Sequence, residues 1–578
     1  MTTPFRPRPA SGTLTPLYSL APRPSRLTGL IMPIRTRLTT LLPLLALVIT
    51  PLSGGAQSLA ELPRTWQEEQ NYRSGPTPFE PLMAFWYDLD AVSDIVAMRP
   101  LTKTLLDREV TLVTIADPMI ETPEDALRSG KTIVLLAPSV HGGEVSPKEA
   151  VQLVAKELVA TDGALRRVLD DVIVLALPLV NPDGGEVRRR TNESGYDMNR
   201  DYLKLESQEI HALVTQVLNE WAPDIHVDGH HGGSNPHVIT YQGTLNPAAD
   251  AELRAYPYER IFPLIREAVR AEDYVAFDYS GPRSGDQGRG WGSTSVEPRK
   301  HHVYAGLTNS IGILLETPAN SCRVLRDGRV VEIPEEERYF HQIRGGVIAT
   351  STILEAAADQ REAIRAVTTG SRMRAIEAGQ TGGDPIVLDY ELGVRGIEAV
   401  WMPDEEAEGG YSLQEVPVYL EWTPSRTTPR PVGYLLPPAA ANVVPLLIDQ
   451  DIAVYRFREA ASIDAEVYYA TEVNRETYFQ GHSLLSTVVR KEEERLDVVP
   501  GWFWVPTAQS RANLISYLME PETDDNLITW NYMDHLVRVT DGPSEEAQRV
   551  PMIRVMESPR LPVVRVHSPD RFTPGRFD

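Results

Sequence analysis

Short apolar segments rich in β-branched residues alternate with helical patterns, and this alternation constrains the fold more than any other feature of the sequence. The apolar segments cover residues 132–138, 172–179 and 310–315, and a fourth segment, at 224–228, alternates apolar with polar residues. Helical patterns occupy about 147–159, 205–221, 249–271 and 335–367. Strands that alternate with helices are typical of a largely parallel sheet covered on both faces. The sequence therefore predicts an α/β fold, with a mostly parallel mixed sheet flanked by helices.

The helix at 147–159 has a predicted start signal. Ser146, Pro147 and Glu149 have the spacing of a capping box, with proline at the first helical position and glutamate three residues after the capping serine. We therefore expect the Ser146 side chain to cap this helix.

The helical pattern breaks at residues 368–385, which include Thr-Thr-Gly-Ser and Gly-Gly-Asp-Pro sequences. Strands are expected beyond it at 432–436 and 452–457, with a helix at 441–447 and shorter strands at 465–471 and 501–505. We therefore expect a first domain at 70–370, and a mixed α/β or β-rich C-terminal domain of unknown role at 386–578.

Composition restricts the functions open to this chain. Its 578 residues carry a formal net charge of -24, whereas nucleic-acid binding requires a basic surface. Cys322 is the single cysteine, so no internal disulfide can form, and a zinc site made of thiolates is excluded. Any metal must be held by histidines and carboxylates.

Residues 1–56 read as an N-terminal extension and signal peptide. Two arginines precede the apolar run at 38–50, and small residues follow up to Ala56. Export to the periplasm or the outside of the cell is expected, with translation starting at Met32. The apolar run is shorter than the roughly 20 residues of a spanning helix. An N-terminal membrane anchor is the alternative.

Two motifs offer metal ligands. His141 and Glu144 follow the first predicted strand on a glycine-containing turn, which brings both side chains to one side. His230 ends the strand at 224–228 and supplies a third ligand, whereas His226 lies four residues earlier and is the rival. Ligand sites of α/β sheets lie at the carboxyl ends of the strands, and catalytic zinc commonly takes three protein ligands. His231 is expected to be a hydrogen-bonded neighbour.

Other polar residues follow the remaining strands. The arginines at 188–190 and the sequence Asn199-Arg200 lie in a loop after the second strand. Arginine can bind a carboxylate with two hydrogen bonds or stabilise an oxyanion. Glu316 ends an apolar strand, where desolvation would raise its pKa toward that of a general base, although a structural ion pair is equally consistent.

The order of these motifs resembles the zinc carboxypeptidases of the carboxypeptidase A type, also called funnelins. The motifs are His-Gly-Gly-Glu at 141–144, Asn-Pro-Asp-Gly at 181–184, Asp-Met-Asn-Arg at 197–200, Val-Asp-Gly-His at 227–230 and Leu-Leu-Glu-Thr at 314–317. The resemblance covers roughly residues 75–360. It implies a mostly parallel, mixed sheet of about eight strands between helices, and a catalytic domain at 70–370.

The resemblance also implies a role for each motif residue and one zinc ion as cofactor. The ligands would be His141, Glu144 and His230, the general base Glu316, the oxyanion-binding residue Arg190, and the residues that bind the substrate's C-terminal carboxylate Asn199 and Arg200. Arg188 or Arg189 could replace Arg190 in its role.

The implied activity is zinc-dependent hydrolysis of C-terminal peptide bonds in peptides or proteins. The alternatives are a cell-wall peptide peptidase, a deacylase of N-acyl amino acids on the same scaffold, and an inactive zinc-binding module. Two features depart from the family. Asp201 replaces an asparagine beside Arg200, and the mobile lid tyrosine has only neighbourhood candidates, Tyr279 and Tyr304. The Gly-rich segment Gly285–Gly292 could carry the lid or form a plain surface loop.

Overall fold

An eight-stranded mixed sheet dominates the first half of the protein in a computed structural model that describes residues 57–567. Its strands, numbered in chain order, are β1 (Val96–Lys103), β2 (Glu109–Ile115), β3 (Thr132–Pro138), β4 (Val172–Ala176), β5 (Ile225–His231), β6 (Ile239–Gly243), β7 (Ala276–Asp278) and β8 (Ile311–Thr317). They lie in the order β1-β2-β4-β3-β5-β8-β6-β7. The four central strands, β4, β3, β5 and β8, are parallel, whereas β1, β2 and β6 introduce antiparallel pairs. The expected mostly parallel mixed sheet is confirmed.

Helices cover both faces of this sheet. They span Phe79–Val92, Pro123–Ser129, Ser146–Val159, Pro182–Val187, Gln208–Leu213 with a continuation to Trp221, Ala251–Tyr256 with a continuation through Phe262–Ala271, His301–Leu307, Glu335–Asp359 and Arg361–Thr381. The continuations at Val214–Leu218 and Pro257–Ile261 are wide π-helical turns.

The predicted capping box at Ser146 is wrong. The helix begins at Ser146 itself, and no side chain caps its N-terminus. The Ser146 hydroxyl lies 2.8 Å from the hydroxyl of Thr317 on β8, and Glu149 accepts hydrogen bonds from Thr77. Tertiary partners have therefore replaced the local cap.

The break expected at 368–385 begins only at Gly382, because a helix runs from Arg361 to Thr381. The Thr368 hydroxyl donates to Asp224 at 2.8 Å and only at 3.4 Å to the carbonyl of Arg365 in its own helix, and Ser371 donates to Asn309. Both hydroxyls therefore bond mainly to other elements and compete little for the helix backbone. The helix ends where Gly382 adopts a left-handed conformation with φ of 71°.

The two faces of the sheet contribute to different hydrophobic cores. Val134 and Leu136 of β3 pack with Leu158 and Ile353 of the covering helices. Ile133 and Leu135 point to the opposite face, because successive side chains of a strand alternate. That second core also contains Tyr434, Leu447 and Met519, so the C-terminal part packs directly against the sheet.

The C-terminal part is rich in β-structure, as expected. A large sheet contains Gly433–Leu436, Tyr455–Phe457, Ala461–Phe479, His482–Val498, Phe503–Pro506, Gln548–Arg549, Ile553–Val555 and Val563–Arg565. A four-stranded sheet joins Gly281–Gly285 and Gly288–Gly292 to Gly396–Pro403 and Tyr411–Tyr419, and two-stranded sheets pair Ile386–Gly393 with Glu421–Thr428 and Cys322–Val324 with Val330–Glu332. Short helices lie at Trp66–Glu69, Val444–Asp449 and Ala512–Met519.

The described residues belong to one compact unit. The division into domains at 70–370 and 386–578 stays a prediction. The expected signal peptide at 1–56 lies outside the described residues. Between residues 57 and 567, no helix is both long and apolar enough to cross a bilayer.

Candidate active site

The predicted site residues meet at the carboxyl ends of three adjacent parallel strands. β5 lies between β3 and β8, and its residue His230 is directly opposite Glu316 of β8. Pro138, the last residue of β3, is opposite Gly229, so the turn that follows β3 brings His141 and Glu144 to the same edge. Strand register therefore gathers residues that are far apart in the sequence.

His141, Glu144 and His230 form a compact group of possible metal ligands. Their donor atoms all lie within 4.8 Å of one another. His141 Nδ1 lies 2.9 Å from Glu144 Oε1, His230 Nδ1 lies 2.7 Å from Glu144 Oε2, and the two Nδ1 atoms are 3.1 Å apart. The rival His226 is not in this group; its buried ring lies beside that of His301, with 5.3 Å between ring centroids.

In each histidine ring, the nitrogen that does not face Glu144 lies against an aspartate carboxylate. His141 Nε2 lies 2.9 Å from Asp197 Oδ1, and His230 Nε2 lies 2.9 Å from Asp228 Oδ1. Such contacts fix the tautomer and the orientation of a metal-binding imidazole. Here they leave the Nδ1 atom of each ring facing Glu144. The sequence interpretation gave neither aspartate a role. Asp197 begins the 197–200 motif and Asp228 precedes His230 by two residues, and these positions were the sequence signals that could have indicated their roles.

The group fits a zinc ion. Tetrahedral zinc bound by imidazole nitrogen and carboxylate oxygen at its usual bond lengths keeps its donor atoms roughly 3.3 Å apart. The separations of 2.7–3.1 Å are close to this value. Burial raises the pKa of Glu144, but the neighbouring His230 and His141 lower it further, so the net pKa is below its usual range and the carboxylate is ionised. Two oriented imidazoles and one carboxylate are a common donor set for catalytic zinc.

Replacing Asp197 with asparagine should weaken zinc binding, because the amide no longer offers His141 Nε2–H a charged acceptor. Loss of such a ligand-supporting partner typically costs about 10–100-fold in metal affinity. Titration of the metal-free variant with zinc against a competing chelator would measure the change. An affinity equal to that of the wild type would show that Asp197 does not support the ligand.

Glu316 is buried beside the ligand group, and among residues 57–567 no cationic side chain lies within ion-pair distance of its carboxylate. Burial raises the pKa of Glu316 to about 8, and the charges of Glu144 and Asp228 add to this effect while His230 opposes it. Within the described part of the chain, its carboxylate makes no hydrogen bond. The absence of a side chain at Gly232 gives the carboxylate its space, since a Cβ there would lie 2.9 Å from Glu316 Oε2. These surroundings suit a group that accepts and returns a proton.

Of the three consecutive arginines, Arg190 faces the site. Its Nε donates to Asp197 Oδ2 at 2.9 Å and its Nη1 donates to Glu144 Oε1 at 3.2 Å. Arg189 instead bonds to Glu193 and to the backbone of Asn192. Arg190 lines the cavity beside the ligand group, whereas Arg188 and Arg189 do not.

Arg200 and Asn199 both line the cavity, but their side chains have different hydrogen-bond partners. Arg200 donates to the carbonyl of Asn199, and no carboxylate lies within ion-pair distance of its guanidinium among residues 57–567. The Asn199 amide nitrogen lies 2.9 Å from His230 Nε2, and its oxygen accepts from the backbone of His301. Asp201 is buried and bonds to Ser207, so it does not reach the cavity.

The cavity has a volume of about 270 Å³ and is lined mainly by polar side chains. Tyr279 lines it and burial raises the pKa of its phenol to about 12, whereas Tyr304 is fully buried elsewhere and donates to Gln450. The segment Gly285–Gly292 is mostly a β-hairpin in the four-stranded sheet. The sequence interpretation missed Lys300 and His302, which also line the cavity.

A family model described as zinc carboxypeptidase matches residues 82–255. This span contains the candidate ligands and the arginine-containing loop, but not Glu316. Residues 82–255 are therefore similar to the zinc carboxypeptidase family, as the order of the motifs predicted. Together with the carboxypeptidase relatives below, this match indicates a metallocarboxypeptidase.

The chain is distantly similar to several carboxypeptidases. The chain is 23% identical over 425 residues to carboxypeptidase 2 of Trichophyton rubrum, covering 70% of this chain and 74% of that protein. It is 28% identical over 181 residues to cytosolic carboxypeptidase 2 of Homo sapiens, covering 30% of this chain and 19% of that protein. The solved metallo-carboxypeptidase of Burkholderia cenocepacia is 20% identical, with a TM-score of 0.37 and coverage of 49% of this chain and 69% of that one.

Proposed function

We propose that this metallocarboxypeptidase releases single residues from the free C-termini of peptides, using one zinc ion held by His141, Glu144 and His230. The observation that carries the proposal is the ligand group itself, with its donor atoms within 4.8 Å, on the wall of a cavity that also contains Glu316 and Arg200. A metal site, a proton acceptor and a cation that has no acidic partner among residues 57–567 together provide what cleavage of a C-terminal peptide bond requires.

Glu316 transfers protons at the scissile bond, and Arg190 binds the oxyanion. Zinc, when bound, acts as a Lewis acid that lowers the pKa of a water molecule and polarises a carbonyl. Glu316 takes a proton from the attacking water and passes it to the leaving amine, for which its raised pKa of about 8 is suited. Arg190 offers guanidinium hydrogens to the oxyanion, and its bonds to Asp197 and Glu144 hold it toward the ligand group.

Arg200 selects the last peptide bond by binding the α-carboxylate of the substrate. Its guanidinium lines the cavity with no acidic partner in the described chain, so a carboxylate can form a charge-assisted pair with it. Asn199 assists at the same end of the substrate. Since its amide nitrogen is also 3.3 Å from Asp228, Asn199 additionally supports the ligand His230.

The proposal is tested with purified residues 57–578 by measuring zinc content and the release of amino acids from a peptide mixture. About one zinc per chain and stepwise release of single C-terminal residues are expected. Zinc without such release, but with turnover of cell-wall peptides or N-acyl amino acids, would favour the other hydrolases. Zinc without any turnover would indicate an inactive binding module, and a protein that binds no zinc would contradict the assignment.

Replacing Arg200 with glutamine should reduce kcat/KM for peptides with a free C-terminus by about 10–100-fold, because a charge-assisted pair is lost. Arg200→Lys is the matched control, since it keeps the charge without the planar fork and should lose less. C-terminally amidated peptides should be poor substrates for the wild-type protein. Equal rates on free and amidated peptides would contradict the role of Arg200.

We also propose that the protein is exported through its N-terminal signal. The basic, apolar and small-residue regions of residues 32–56 support this proposal. N-terminal sequencing of the exported protein should give a start near Gln57. A mature protein that retains residues 38–50 would instead favour the membrane anchor.

A further inference from the structure

A long β-hairpin in the C-terminal part extends to the active site. Its arms are β9 (Ala461–Phe479) and β10 (His482–Val498), which pair from one end to the other with two irregularities, at 470–472 and 475–478. The chain reverses through Gln480 and Gly481, with φ of 51° and 83°, the left-handed conformations that a two-residue hairpin turn requires. At about 3.3 Å per residue, such arms carry the turn tens of ångströms from the base of the hairpin.

The hairpin turn bonds directly to the backbone of a residue that supports the proposed metal site. The Asp197 N–H donates to Gln480 Oε1 at 2.9 Å. The Asp197 carboxylate in turn lies 2.9 Å from His141 Nε2 and accepts from Arg190 Nε at 2.9 Å. Gln480 therefore holds the backbone of the residue that orients both a candidate ligand and the candidate oxyanion-binding arginine.

Hydrogen bonds fix the hairpin turn on the side of β10. His482 Nε2 lies 2.9 Å from Glu206 Oε1, and His482 Nδ1 lies 3.1 Å from Asn531 Oδ1. Asn531 Nδ2 also donates to the carbonyl of Ser483 at 2.9 Å. These bonds connect the turn to the chain that follows Arg200 and to a second C-terminal segment.

Aromatic and cationic contacts fix the turn on the side of β9. The Arg299 guanidinium lies over the rings of Phe479 and Trp530, at 5.4 and 5.6 Å from their centroids. Lys204 Nζ lies 4.6 Å from the Trp530 centroid. Cation–π contacts of this kind stabilise a fixed packing arrangement. The amide of Gln480 is thus presented to Asp197 by a well-anchored element.

We propose that Gln480 is a positioning residue of the active site, and that the hairpin is the means by which the C-terminal region completes that site. This inference rests on the proposed zinc site. Asp197 is only 7% exposed, so without Gln480 its N–H would lose a hydrogen-bond partner in a place that water reaches poorly. The turn at 197–200 would then relax, and the Asp197 carboxylate would hold His141 and Arg190 less well.

The test compares zinc affinity in full-length variants, measured by competition with a chromophoric chelator, together with kcat and KM. Gln480→Met removes the acceptor but keeps the side-chain length, and should weaken zinc binding by about tenfold. Gln480→Glu keeps an acceptor and should restore most of the affinity. Tyr478→Ala is the matched control, because Tyr478 is 75% exposed in the same part of the hairpin. Its zinc affinity should be unchanged.

A double variant separates positioning from a general loss of stability. If Gln480 acts through the Asp197 carboxylate, Gln480→Met should weaken zinc binding little further in an Asp197→Asn background. Additive effects, or wild-type zinc affinity in a folded Gln480→Met protein, would overturn the role of Gln480. A Gln480→Met protein that fails to fold while Gln480→Glu has weak zinc binding would also overturn it. Absence of zinc binding by the wild type would overturn the zinc site itself, so the two failures are distinguishable.

Discussion

A Glu316→Gln variant is expected to keep its zinc and to lose turnover by about 10²–10⁴-fold. Glutamine has nearly the same shape as glutamate but cannot accept a proton at pH 7. Glu316 is not part of the ligand group, so the metal should stay bound. The measurement is kcat on a C-terminally free peptide, with zinc content determined on the same sample. Near-normal turnover would remove Glu316 from the proposed mechanism.

Gly232→Ala tests the same proposal through geometry. The new methyl group would meet Glu316 Oε2 at 2.9 Å, which is closer than ordinary contact, so the carboxylate must move. We expect reduced kcat with zinc content unchanged, in the same direction as the Glu316→Gln result. Loss of zinc from Gly232→Ala would show instead that the substitution disturbs the ligand group.

A His230→Ala variant is expected to lose its zinc and, with it, nearly all activity. It removes one of three protein ligands, and the remaining His141 and Glu144 offer too few donors for a stable site. Zinc per chain, measured by elemental analysis after dialysis, is the direct readout. Activity should fall to the level of the metal-stripped wild-type protein.

His226→Phe is the matched control for His230→Ala. Phenylalanine keeps a ring in the buried position and removes both nitrogens, which have no hydrogen-bond partner in the described structure. We expect this variant to keep about one zinc per chain. Retention of zinc by His230→Ala together with its loss from His226→Phe would reverse the assignment of the third ligand.

The position of the site at the ends of the central strands could be predicted, because the end of a strand is a local feature of the sequence. Residues 132–138 form a strand as predicted, and His141 with Glu144 follows its carboxyl end. Parallel neighbouring strands end at the same edge of a sheet. The predicted strand ends therefore placed His230 and Glu316 close together, as the strand register shows. The similarity to zinc carboxypeptidases was predicted from the order of these motifs.

Contacts between distant segments were not predictable in this way. The Ser146 hydroxyl bonds to Thr317 rather than capping its helix, and Asp201 turns into the core rather than the cavity. Of the two tyrosines considered for a lid, Tyr279 lies at the cavity and Tyr304 does not. Each outcome depends on which groups the folded chain brings within hydrogen-bonding distance.

The sequence by itself determined the α/β class, the positions of the central strands and the residues that end them, because periodicity and turn chemistry act over a few neighbouring residues. Only the tertiary structure decided that Asp197 and Asp228 support the two histidine rings, and that Gln480, 283 residues from Asp197, bonds to its backbone. The physical reason is that a hydrogen bond between distant segments depends on the packing of the whole sheet and hairpin, for which no local pattern exists.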